Sequence, residues 1–346
     1  MSSTFSRRVF VGGSLLGAVA AASGQTGTAA QSNIPVQSGE DIRIVLAGYG
    51  PATTSFSRGL KRITDELNRL YGDHVKTKLV YDIMDEGYLT EDIVGLVESG
   101  KYTLGYQSSS FLSGRILDLS IADLPFLFSD PASARAAIDG PLGRAMTKRI
   151  ESSTNLRVLG YFENGFRQIS NSLRIVLSPA DLAGMTIRTL PSDMQRNTFR
   201  LLGAKPIDID LSQLLEAIKS GKLQAEENPF SNMVTYGIHR FHRFYTVSNH
   251  FYVSRPIFVH RPTFDSWPAD FRKSLSSIVG ETVRSQRQDH DREEEGAIQT
   301  IQEAGGQISR LAESQRNLFV AAVKPLYDDA KTRFDDGLRK AVGIES

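Results

Sequence analysis

An α/β fold is predicted by three features of the chain. Short alternating apolar segments recur with amphipathic helical stretches between them, glycines close those stretches, and polar turns sit where a strand hands over to a helix. In residues 41–47, Ile42, Ile44 and Leu46 alternate with Arg43 and Val45, which predicts a strand. After Gly48-Tyr49-Gly50-Pro51, Leu60, Ile63, Leu67 and Leu70 fall at helical spacing, and Gly72 ends that helix. Residues 75–81 alternate again, 89–99 are helical before Gly100, and 102–106 form a third strand. Such an order implies a mostly parallel sheet with right-handed crossovers, so a ligand-accepting mouth lies at the carboxyl ends of the strands.

Two loops stand at that mouth. Gly48-Tyr49-Gly50 follows a strand and precedes a helix, as a dinucleotide fingerprint does, but Thr53 occupies the third glycine position. A loop lining a ligand cleft accounts for Tyr49 equally well. Gln107 and the serines after it lie beyond the third strand, and no G-x-S-x-G elbow marks a nucleophile among them.

Farther on, the apolar run 123–128 contains Pro125, and 132–150 is helical with a break at Gly140-Pro141. A strand over 157–162 is followed by Glu163-Asn164-Gly165-Phe166-Arg167, which reads as a turn placing Arg167 beyond a strand end. Arg167 is there either a cleft residue or a solvated hinge charge. The stretch 181–191 is the most informative. Alternation puts Thr186, Arg188 and Leu190 on one face of a short strand that Pro191 terminates, so Arg188 is aimed into a crevice where its planar fork matches a carboxylate. The competing reading is a surface arginine paired with a nearby acid.

Ser192 caps a helix running to Gly203, residues 206–208 are extended, and Asp210 with Gln213 caps a helix that Gly221 stops. Asn228 precedes Pro229 and is thereby excluded from helix, which holds its amide at a strand end or in a plain Asn-Pro turn. His239, His242 and His250 lack a supporting carboxylate pattern and read as capping or surface histidines, with no metal. Residues 251–260 are β-rich and cross back to the first section. From Pro268 the chain is helical, with a charged, solvated face over 284–295, a break at Gly305-Gly306 and a final amphipathic helix over 319–341.

The chain has 346 residues, room for two domains, and a formal net charge of +1, so no basic stripe points to nucleic acid. Cysteine is absent, which excludes disulfides, thiolate metal sites and a lipid-bearing cysteine. Residues 1–30 read as a twin-arginine export signal: Arg7-Arg8, then an apolar run over 11–22 that is shorter than the ~20 residues of a membrane span, then small residues suited to cleavage near Ala22 or Ala30. The mature protein is expected in the periplasm, with no direct insertion into a membrane.

Residues from about 41 to 270 resemble the periplasmic solute-binding subunits of TRAP (tripartite ATP-independent periplasmic) transporters of the dicarboxylate-binding type. The resemblance rests on the order of Asp123-Leu-Pro-Phe-Leu-Phe128, Gly165-Phe-Arg167, the run Ser178 to Arg188, Leu202-Gly-Ala-Lys-Pro206, Glu216 to Gly221 and Glu227-Asn-Pro229. It implies a two-lobed periplasmic-binding-protein-like fold with a hinge and a long bracing helix near the C-terminus. One lobe would comprise residues 31–164 with 253–293, the other 165–252 with 294–346. It also implies that Arg188 clamps a ligand carboxylate, that Arg167 and Asn228 assist, and that the loaded protein meets TRAP membrane subunits. Tyr49, Gln107 and Phe166 complete the candidate ligand-binding set, and no cofactor is called for. Gln224-Ala225 replaces the family's usual Asp-Gly, and the loop at Tyr49 lacks a histidine common there, which leaves the acid itself open. An exported cofactor-dependent oxidoreductase and a sensor subunit on the same fold are the alternatives.

Overall fold

Branched and aromatic residues on both faces of a strand require cover on both sides, and that requirement organises the chain. The computed structural model describes residues 41–344; the expected export signal lies outside them. Nine strands among the described residues form one sheet: β1 (Ile42–Ala47), β2 (Val75–Val80), β3 (Leu104–Tyr106), β4 (Leu156–Asn171), β5 (Thr186–Thr189), β6 (Lys205–Asp208), β7 (Ala225–Asn228), β8 (Phe244–His260) and β9 (Gln307–Arg310). Their order is β2-β1-β3-β8-β4-β7-β5-β6, with β9 on the free side of β8.

The sheet is mixed rather than mostly parallel. Strands β4 and β8 form a long antiparallel ribbon, and each is antiparallel to its other neighbour, β7 or β3. Parallel pairing is confined to β2-β1-β3, β7-β5-β6 and β8-β9. The ribbon therefore joins two halves: Ile257–Val259 of β8 carry β3, while Gln168–Asn171 of β4 carry β7.

Two sequence-based boundaries shift for the same reason. Glu163-Asn164-Gly165 does not end a strand, and Arg167 lies within β4 instead of beyond it. The polar turn residues mark register shifts at Glu163/Gly165 and Arg167/Ile169, where an extra residue bends the strand without breaking it. Likewise β8 starts at Phe244, seven residues before the expected 251, because Asn249 adopts φ +47° in mid-strand and disguises the continuity.

The helix Ala269–Glu303 packs along this ribbon. Gln286 is fully buried in it; its Oε1 accepts from the Glu163 N–H at 2.9 Å and its Nε2 donates to the Glu163 carbonyl at 2.9 Å, closing an otherwise open stretch of strand edge. Arg58 and Arg62 of the helix Ser55–Tyr71 reach Asp289, while Glu294 accepts from the N–H groups of Phe230 and Ser231. The long helix is thus tied to both halves. Its run 284–295 is not a plain solvated face, since Gln286, Asp289 and His290 are buried against neighbours. The expected final helix over 319–341 is three pieces, Glu313–Ala322, Lys324–Arg333 and Asp336–Ala341; Pro325 opens the second, and Phe334 is extended before Asp335 caps the third.

Gly48 and Gly165 show what the glycines at the mouth are for. A Cβ on Gly48 would lie 2.9 Å from the Tyr81 carbonyl oxygen, so close strand packing, with no appeal to phosphate, accounts for that glycine. Gly165 has φ +80°, and a Cβ there would come 2.3 Å from His290 Nε2 in the long helix. Gly165→Ala is therefore expected to destabilise the protein by about 2 kcal/mol or more through left-handed strain plus the clash, read as a lowered denaturant midpoint at unchanged slope.

Candidate functional site

At the centre of the sheet, where β4 and β8 pass between the two halves, lies a small, partly closed cavity with about 20 Å³ of space for water. Each wall comes from the end or the irregular middle of a strand. Tyr49 follows β1, Ser108 follows β3, Asn164 and Arg167 sit at the β4 bulges, Arg188 is on β5, Asn228 closes β7 and Arg255 is on β8. Asn232 and Tyr236 come from and just after the helix Phe230–Thr235. Residues distant in sequence converge because each strand end faces the gap between the halves, as expected for α/β sheets.

Four of the six candidate residues meet here: Arg188, Arg167, Asn228 and Tyr49. The other two do not. Gln107 is fully buried behind the wall, where its Nε2 donates to the Thr90 carbonyl at 2.5 Å and its Oε1 accepts from the Ser108 N–H at 2.7 Å. Phe166 alternates away from Arg167 and packs edge-on against Tyr252 with ring centroids 5.4 Å apart. Thr90 in turn donates from Oγ1 to Asp210 at 2.6 Å, which links the β1–β3 half to the β5–β7 half beside the cavity.

Arg188 is 3% exposed, and its one hydrogen bond is from Nε to the Ile209 carbonyl at 3.2 Å. No carboxylate among the described residues forms an ion pair with it, so the surface-pair reading fails. Burial, followed by the neighbouring Arg167 charge, lowers its pKa. Arg167 is as deeply buried but already matched: Nε and Nη2 grip the Glu227 carboxylate, Nη2 to Oε1 at 2.8 Å, and Nη2 also reaches the Glu227 carbonyl. Burial alone would raise the Glu227 carboxyl; Arg167 and His250 outweigh it and hold it below the usual range.

Glu226 behaves in the opposite way. Burial first, and then the Glu227 charge, push it up to about 7, although Asn228 Nδ2 at 2.5 Å and Ser170 Oγ at 2.9 Å both donate to it. Ser170 also meets His242 Nδ1 at 2.8 Å, so His242 is a core residue, as is His250 beside Ser248. The expectation of capping or surface histidines is corrected for these two.

Arg255 escaped the sequence reading, as did Asn164 and Asn232. Its signal was a lone charge inside the apolar run Phe251-Tyr-Val-Ser-Arg255-Pro-Ile-Phe-Val259, with no acid near it in the chain. Its guanidinium lies 3.9 Å from the Phe56 ring centroid and 4.9 Å from that of Tyr49, and Nη2 donates to Asn164 Oδ1 at 2.8 Å. Around the cavity Arg255 Nε, Asn164 Nδ2 and Ser108 Oγ have no partner among the described residues. Tyr49, whose phenol burial raises to about 12, stays a neutral O–H donor. The lining is thus rich in donors, as an oxyanion requires. A larger groove between Pro141–Ser153 and Ala269–Glu303, about 840 Å³ on the same measure, is open to solvent and contains none of these groups.

Among the described residues no helix is long and apolar enough to cross a membrane. The family described as "Bacterial extracellular solute-binding protein, family 7" matches residues 56–333. The 2,3-diketo-L-gulonate-binding periplasmic protein of Escherichia coli K12 is 26% identical over 70% of this chain and 74% of its own length. Two solved TRAP periplasmic solute-binding proteins share the fold. That of Sulfitobacter sp. NAS-14.1, with bound β-D-galacturonate, is 18% identical at TM-score 0.81, covering 87% of this chain and 98% of that one. That of Sulfurospirillum deleyianum, with bound succinate, is 20% identical at TM-score 0.81, covering 88% and 100%. The fold is the two-lobed α/β fold of such proteins, and the chain is a periplasmic binding protein, which sets aside the oxidoreductase alternative. A family match over residues 56–333 and a cavity lined by donors at the centre of the ribbon lead to one assignment: the chain belongs to the bacterial extracellular solute-binding protein family 7, the TRAP-type solute-binding subunits that its motif order resembles.

Proposed function

We propose that the cavity captures a small organic acid, that Arg188 clamps its carboxylate, and that the loaded protein delivers it to TRAP membrane subunits. The observation that carries this reading is a guanidinium, 3% exposed, that has one hydrogen bond and no ion pair among the described residues. A buried cation without an anion costs free energy, and a carboxylate guest removes that cost with two parallel charge-assisted bonds. Asn228, Tyr49 and the remaining N–H groups of Arg167 complete the donor set, while Gln107 acts indirectly by holding Thr90, and Phe166 by packing Tyr252 behind Arg167. The acids bound by the Sulfitobacter and Sulfurospirillum proteins are of the same chemical class.

Closure is the second part of the proposal. Residues 31–164 with 253–293 would move against 165–252 with 294–346, bending at the β4 bulges and at Asn249, where the ribbon already departs from regular pairing. Closing excludes water, and the lower local dielectric strengthens the guanidinium–carboxylate pair, so affinity and closure are coupled.

Arg188→Ala is expected to weaken binding of a carboxylate ligand by about 2 to 5 kcal/mol in calorimetry, and Arg188→Lys to weaken it as well because the fork is lost. Unchanged affinity would refute the clamp. Arg188→Met should have the opposite effect on the unliganded protein, raising its stability by roughly 1 to 4 kcal/mol, since a costly buried charge gives way to apolar packing.

Glu226 supplies a pH dependence. Its carboxyl titrates near about 7 in the folded protein against an ordinary 4.5, so the native state holds a proton that the unfolded chain releases. Stability from this group is therefore present at low pH and declines as pH rises through that window. The same sign applies to binding: an anion in the cavity favours the neutral Glu226, so affinity should fall as pH rises through about 7, by up to roughly tenfold. Glu226→Gln should flatten the profile; an unchanged slope in that variant would assign the effect elsewhere.

A further inference from the structure

Taking the cavity to be an organic-acid site, the charges around it say more about the guest. Three arginines border it: Arg167, Arg188 and Arg255. Arg167 is neutralised by Glu227. Arg188 and Arg255 form no ion pair among the described residues, although they are 3% and 4% exposed. Arg188 stands on β5 beside β6 and β7, whereas Arg255 stands on the ribbon strand β8 beside Tyr49, Phe56 and Tyr106 of the other half.

Arg255 is built for an anion. Phe56 covers a face of its guanidinium at 3.9 Å, which stabilises the cation while leaving the in-plane N–H groups free. One of those groups is committed to Asn164 at 2.8 Å, and Nε has no partner. Asn164 is itself tied to Asn232 at 3.1 Å, so the guanidinium is held in place from its side as well as from its face.

We propose that Arg255 is a second anion anchor that sets specificity, selecting acids with a negatively charged group at each end, one on Arg188 and the other on Arg255. A monoanion would satisfy Arg188 and offer Arg255 only hydroxyl acceptors, leaving one desolvated guanidinium charge unmatched. A dianion leaves none. The buried histidines do not alter this count, since burial lowers both His242 and His250 into the neutral form at neutral pH.

The test compares acids that differ only in the second charge, by calorimetric titration of the mature protein: galactarate against galactonate, and succinate against succinamate. The wild-type protein should bind the dianion of at least one pair ten or more times more tightly than its monoanionic partner. Arg255→Gln should reduce that ratio below threefold by weakening the dianion, while Arg255→Lys should retain part of it; thermal melts of both variants report whether they fold. Equal affinity for the members of each pair in the wild type, or a ratio that survives in a folded Arg255→Gln protein, overturns the role of Arg255 and leaves the organic-acid reading standing. Absence of binding by all four acids to the wild type overturns the organic-acid reading and this inference with it.

Discussion

The structure is built around a buried charge, that of Arg188, with which no carboxylate among the described residues forms an ion pair. Placing Arg188 at the end of β5 with only the Ile209 carbonyl as partner is unfavourable for the unliganded chain, since a desolvated guanidinium loses its hydration without gaining a carboxylate. The groups behind the cavity, by contrast, are matched. Arg167 and Glu227 form a matched, fully buried pair beside it, and Gln286 seals the exposed ribbon edge that passes the cavity. The unfavourable term thus rests on Arg188 and on Arg255, the two buried guanidiniums at the cavity that form no ion pair among the described residues.

The neighbouring carboxylates show how finely that environment is divided. Glu226 and Glu227 are adjacent in β7 and equally buried, yet one is held below the usual range by Arg167 and the other is pushed up to about 7. Alternation along the strand explains the difference: the two side chains leave on opposite faces, so only Glu227 meets the arginine, and Glu226 faces Ser170 and Asn228. One carboxylate fixes the geometry of the pair behind the cavity. The other remains a proton store coupled to the cavity through Asn228.

Much of this was legible in the chain. The β-α-β-α-β opening, the short strand ending at Pro191 and the helices stopped by Gly203 and Gly221 follow from local periodicity and turn chemistry. Arg188 and Asn228 were legible because a proline closes each strand just beyond them. The central ribbon was not, since its bulges use Asn164, Gly165 and Asn249, the residues that elsewhere signal a chain reversal. Arg255 was missed for a related reason. Within an apolar strand it reads as an anomaly of the core, and only the tertiary placement of Phe56, Tyr49 and Tyr106 shows that an aromatic box receives it. Gln107 was overcalled because position at a strand end does not say which side of the loop faces the gap.

The path of β4 and β8 also bears on how the protein is made. Strand β3 is synthesised early, but its partner Ile257–Val259 emerges only after the whole of the other half. During translation the edge of β3 stays unpaired, whereas β4, β5, β6 and β7 follow one another within residues 156–228 and can pair from a contiguous stretch of nascent chain. The β1–β3 half is therefore the later to be completed, and until residues 257–259 arrive its open strand edge is exposed to other chains.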